Sequence, residues 1–180
     1  FLGQLSEDSM HSWYSTHNNP YPCYGYTIFE AEVASTFDEE LLFRHLLKHA
    51  ENDKMKAYLL SMRAGDVLAT LYRQTMFAEF ERKIHDRIFK EIPTVYTDVT
   101  KEYEELLKKY FANITIDEKH KYEWLRIPHF YSPYYVYKYA TGISSAIYIA
   151  RNILNKKEGY LEKYIKMLKT GGRLRKFRYT

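Results

Sequence analysis

Few side chains in this sequence stand where type and spacing could do chemistry. Glu32 lies on a helical stripe with Ile28, Ser35 and Glu39, beside an apolar stripe of Phe29, Val33, Phe37 and Leu41. A carboxylate there can take up a proton, pair with a cation or ligate a metal. It can equally be a partly exposed or paired charge at the edge of a core. His129 follows Pro128 and precedes a tyrosine-rich stretch. It can serve as a proton donor, a base or a ligand, or it can cap and pack as a structural histidine. The chain has 19 tyrosines, and six of them fall between Tyr131 and Tyr148. Tyrosine joins an apolar ring to a hydroxyl, which suits a partly wet core or a binding groove. On a helix that starts at Pro133, Tyr134 and Tyr137 share one face, and Tyr135 and Tyr139 share another. One pair then lines a groove while the other packs, although core filling alone would explain much of the clustering.

These residues need elements to hold them, and the periodicity supplies helices. Asn18-Asn19-Pro20-Tyr21-Pro22 is a break. After it, the spacing predicts a helix over about 27–49. Asp53 can cap a long helix over about 54–91, with Phe77, Phe80, Ile84 and Ile88 on one face, a bend near Gly65 and Pro93 as its stop. Further helices are expected over about 97–111, from Asp117 to before Pro128, from Pro133 to about Asn155, and over 159–169 ahead of Gly171-Gly172. No segment alternates as a strand would. The fold class expected is all-α, a bundle of six or seven helices with one long central helix.

Composition narrows the function classes. The lone cysteine, Cys23, excludes a disulfide within the chain and reads as a small buried side chain. That suits a reducing, cytoplasmic setting. The net charge is +4, but Arg173, Arg175, Lys176 and Arg178 account for it, and the other basic residues balance the 23 acidic ones. A basic stripe on the folded part is therefore missing, and nucleic acid is not the expected partner. No apolar run approaches the roughly 20 residues that span a bilayer, and the start does not read as a signal peptide. We expect one helical domain over residues 1–172 and a basic tail over 173–180.

Four ordered stretches resemble the oligoendopeptidase F family of thimet-type zinc metallopeptidases. They are Ser9-Met10-His11-Ser12-Trp13-Tyr14-Ser15; Ile28-Phe29-Glu30-Ala31-Glu32-Val33-Ala34-Ser35-Thr36; Arg73-Gln74-Thr75-Met76-Phe77-Ala78-Glu79-Phe80-Glu81; and Ile127-Pro128-His129-Phe130-Tyr131 with Tyr135-Val136-Tyr137-Lys138-Tyr139-Ala140-Thr141-Gly142. The resemblance covers about residues 9–172 and implies the C-terminal half of the family's catalytic domain. The family holds Zn²⁺ with the two histidines of an H-E-x-x-H helix and a downstream glutamate, and the motif glutamate is the general base. By that resemblance Glu32 is the remaining ligand position. His129 with Tyr131, Tyr135 and Tyr137 resembles the family's substrate-binding and oxyanion-stabilising cluster; His129, Tyr135 and Tyr137 are the catalytic candidates, and Tyr131 with its neighbour Tyr134 are the substrate-binding candidates. The H-E-x-x-H motif should end just before Ser9, where this chain reads Gln4-Leu5-Ser6-Glu7-Asp8. Both histidines and the base are replaced, so no zinc is expected in this chain and activity by the family's mechanism is not expected either. The partners implied are short peptides, and either a second copy of the chain or the family's N-terminal half acting in trans. The alternative is a non-catalytic module that binds peptide or protein in a tyrosine-lined half-cleft.

Overall fold

The computed structural model of the chain describes residues 10–172, so the Gln4–Asp8 stretch and the basic tail lie outside the described residues. Within them the chain is all-α, with seven α-helices and no strand. Helix α1 spans Ser12–Asn18 and is followed by a 3₁₀ turn at Tyr21–Cys23, where the Asn-Pro break was expected. Helix α2 spans Ile28–Lys48. Its start is fixed by a capping box: the Thr27 hydroxyl accepts the Glu30 N–H, and Glu30 Oε2 accepts the Thr27 N–H at 2.7 Å.

Helix α3 spans Asp53–Val67, π-type turns occupy Leu68–Tyr72, and α4 spans Arg73–Phe89. The cap of α3 is Asn52 rather than Asp53, because Asn52 Oδ1 accepts the Met55 N–H. The irregularity falls at the π turns and not at Gly65, which remains inside α3. Helix α5 spans Tyr96–Tyr110, with Asp98 accepting the Val95 N–H at its start. The segment opened by Asp117 is a 3₁₀ helix over Glu118–Arg126, and a second 3₁₀ turn covers Pro128–Tyr131. Helix α6 spans Tyr137–Leu154 and α7 spans Tyr160–Thr170.

The expectation that α6 begins at Pro133 is corrected. Tyr134 has a φ of 55°, in the left-handed region that a right-handed helix cannot use. Its N–H is taken by Glu81 Oε1 at 2.6 Å. Ile88 is also corrected: it is exposed, near the end of α4, where the apolar stripe has run past its core.

Two compact units divide the chain. Among the described residues, those up to Ala64 and from Thr141 form the first, and Gly65–Ala140 form the second. The core of the first unit packs Ala34 and Phe37 of α2 against Ala146 and Ala150 of α6 and Tyr164 and Leu168 of α7. The alanines let helix backbones approach, and the Phe37 and Tyr164 rings meet at 4.1 Å between centroids. Cys23 is buried in this unit, as its composition suggested. The core of the second unit is built on Met76, Phe77 and Phe80 of α4 with Tyr103, Leu106 and Leu107 of α5. Ile127 and Val136 close it from the connecting turns.

Candidate functional site

In the first unit, Glu32 sits in the second turn of α2, half-buried. The helix carries it beside Gly142 of α6: a Cβ built on Gly142 would lie 3.7 Å from the Glu32 Cβ. That is ordinary van der Waals contact, so the two helices pack closely at Glu32 and Gly142.

His11 packs beside the segment that leads into this helix. This imidazole is 1% exposed and stacks on Tyr26 with ring centroids 3.6 Å apart. Tyr26 in turn shares a 3.0 Å hydroxyl hydrogen bond with Ser12. Neither ring nitrogen of His11 has a partner among the described residues. Burial holds its pKa below the ordinary histidine value, and the Glu30 charge opposes that shift.

In the second unit, His129 and Tyr135 come together. Their rings stack with centroids 5.7 Å apart. Tyr139 completes the group: its hydroxyl donates to the Tyr135 hydroxyl at 3.0 Å and lies 3.4 Å from His129 Nε2. The expected pairing of Tyr135 with Tyr139 therefore exists, although Tyr135 precedes the helix and its ring packs on the second unit's core. Lys138 places its ammonium 5.0 Å from the Tyr135 ring centroid.

The expected pairing of Tyr134 with Tyr137 on one helical face does not form, because only Tyr137 is helical. Tyr134 is instead anchored through its backbone by Glu81, and its ring lies 4.8 Å from His85. Tyr131, Tyr134 and Tyr137 are 82%, 48% and 49% exposed, so these three rings are open to contact. Tyr131 and Tyr134 therefore stand at the surface.

Two buried glutamates missed by sequence reasoning organise the polar interior. Glu123 accepts Arg73 at 2.5 Å, Arg126 at 2.7 Å and the Tyr103 hydroxyl at 3.0 Å. Burial, reinforced by the Glu123 charge and hydrogen bond, pushes the Tyr103 hydroxyl far above its ordinary value. Glu40 is held by Arg44 at 2.6 Å and by a short contact from Arg63. Nothing in the local spacing of 73, 103 and 123 signals that network, since its members are far apart in sequence.

The sequence pattern of Peptidase family M3 matches residues 8–177. The chain belongs to this family. Among curated M3-type relatives it is 50% identical over 172 residues to an oligoendopeptidase F homolog of Borreliella burgdorferi, covering 95% of this chain and 29% of that protein. It is 44% identical to the oligopeptidase PepF of Bacillus subtilis, covering 91% of this chain and 24% of that one. A crystal structure of oligoendopeptidase-F from Enterococcus faecium superposes with a TM-score of 0.81 at 37% identity, over 94% of this chain and 31% of that chain. The chain thus spans less than a third of the length of these relatives.

Family M3 is a family of zinc-dependent metallopeptidases. Zinc takes three protein ligands and a water in such sites. Among the described residues no three His, Cys, Asp or Glu side chains converge as a metal site. His45 and His49 have the spacing of a zinc-binding pair, but Leu46 stands where such a motif has its glutamate, and His49 Nδ1 lies 2.8 Å from the His45 carbonyl oxygen. Glu32 alone is too small a donor set, so the described residues do not by themselves fit the ion. No helix among them is long and apolar enough to cross a membrane.

Proposed function

We propose that this chain is a portion of an oligoendopeptidase F-type peptidase that binds short peptides but does not hydrolyse them alone. The observation that carries the reading is family membership across residues 8–177, with Glu32 inside the matching Glu30-Ala31-Glu32-Val33-Ala34 stretch. In this reading Glu32 is a residual ligand position. His129, Tyr135 and Tyr137 are the donors that would face a developing oxyanion, and Tyr131 and Tyr134 contact the peptide. Gln4, Leu5 and Asp8 occupy the positions where the two histidines and the base would stand. Without the histidines one carboxylate does not hold Zn²⁺ tightly, and no bound water is acidified into a nucleophile.

The exposed rings of Tyr131, Tyr134 and Tyr137 also favour a second reading, a peptide- or protein-binding module that uses the tyrosine wall without catalysis. Both readings expect purified chain to lack stoichiometric zinc and to leave a bradykinin-sized peptide intact. Cleavage that is lost on chelation and in Glu32→Gln would overturn them. Tyr134→Ala separates peptide binding at this wall from no binding at all: a peptide titration that gives the same saturable signal in both proteins would remove Tyr134 from the site.

A further inference from the structure

Three glutamates are buried among the described residues: Glu40, Glu81 and Glu123. Glu40 and Glu123 each face two arginines. Glu81 is 7% exposed and faces none. Its one hydrogen bond is the Tyr134 N–H on Oε1, and Oε2 has no protein partner among the described residues. A buried carboxylate is normally paired, because the desolvation cost is otherwise left uncompensated.

Glu81 lines a cleft of about 350 Å³ in the second unit. The walls are Phe80 and Ile84 of α4, Val99 of α5, and Trp124, Ile127 and Phe130 from the turns, with the exposed Leu125 and Tyr131 also lining it. His85 lies on the same wall as Glu81, one helical turn on. The cleft thus joins aromatic and aliphatic surface to a single acidic group. That chemistry recognises a cation carried on an apolar stem. A planar guanidinium fits best, since it can bond the free carboxylate oxygen while its plane lies against aromatic rings.

We propose that this cleft is a recognition pocket for an arginine side chain of a bound peptide, with Glu81 as its charge partner. Glu81 then has two tasks: Oε1 positions the Tyr134 backbone and Oε2 receives the guanidinium. The inference rests on the peptide-binding reading for its substrate class, and its test reads binding rather than hydrolysis, so loss of the zinc-peptidase reading leaves it standing.

Trp124 is a reporter inside the cleft, with its indole N–H donating to Thr100 at 3.2 Å. The chain has two tryptophans, and Trp13→Phe leaves Trp124 as the single indole. In that background we expect N-acetyl-arginine amide to change Trp124 fluorescence saturably. It should bind about ten-fold more tightly than the neutral isostere N-acetyl-citrulline amide, the step one charge-assisted hydrogen bond supplies. Glu81→Gln should bring arginine down to the citrulline level. Leu125→Lys, an exposed change that places a competing cation at the cleft, should weaken arginine binding without touching the core. Equal binding of the two amides, no arginine binding, or undiminished arginine binding in Leu125→Lys overturns the proposal.

Discussion

Glu123 shows how one side chain can organise a small polar interior. Its carboxylate is the acceptor for Tyr103 in the core and for Arg73 and Arg126 toward solvent. Glu123→Ala strands the buried Tyr103 hydroxyl, and we expect a loss of roughly 3–5 kcal/mol, the usual result of removing one side of a buried charged network. Urea denaturation measures it; a loss under about 1 kcal/mol, the range of exposed pairs, would mean the network is solvated. Tyr110 gives a pH signature. Burial, then its hydrogen bond to Glu79 at 2.8 Å, pushes the hydroxyl up to about 12. The folded value exceeds the unfolded one of about 10, so the protonated hydroxyl supports folding fully below pH 10 and that support is lost as pH rises toward 12. Glu79 runs the other way: its hydrogen bond from Lys109 lowers its pKa, so its contribution is lost only as pH falls through the folded value. Tyr110→Phe should flatten the alkaline loss of stability and trim the acid arm only in part, since the Lys109 hydrogen bond to Glu79 remains. An unchanged alkaline profile would contradict this assignment. At this scale the resemblance singled out Glu32, His129 and the tyrosines as candidates. It did not locate Glu81, because a carboxylate next to Phe80 on an apolar stripe reads as that stripe's solvent edge.

The helices were legible where local chemistry and periodicity agree. Thr27 and Glu30 cap the helix that Phe29, Val33 and Phe37 already outline, and the observed limits of α2 differ from the expected ones by about a residue. Pro133 misled for a tertiary reason. A proline is welcome at a helix start, but Glu81 holds the next residue, Tyr134, in a left-handed conformation and delays the helix to Tyr137. The end of α7 was read correctly from its glycines, and the structure explains why both are needed. Gly171 has φ 53°, and a Cβ there would fall 2.6 Å from the Cys23 carbonyl oxygen and 2.7 Å from Ser15 Oγ. Asn19 seals the same junction by donating to the Lys169 carbonyl at 2.8 Å. Gly171→Ala should therefore cost about 1–3 kcal/mol, the scale of a strained backbone position. Thermal unfolding reads it out. An unchanged midpoint would mean that the α1 and α7 ends can separate freely.

At the scale of the whole molecule, two units with their own cores place Glu32 in one and His129, Tyr135 and the Glu81 cleft in the other. Neither periodicity nor composition joins those groups, and the chain covers less than a third of its curated relatives. We propose that Glu32 is the glutamate ligand position of a zinc site whose other ligand positions carry Gln4 and Asp8 in this sequence. The most direct measurement restores them. In Gln4→His/Leu5→Glu/Asp8→His we expect about one tightly bound zinc per chain by metal analysis after dialysis, and loss of that zinc when Glu32→Gln is added. No zinc in the restored chain, or zinc kept after Glu32→Gln, would contradict the account.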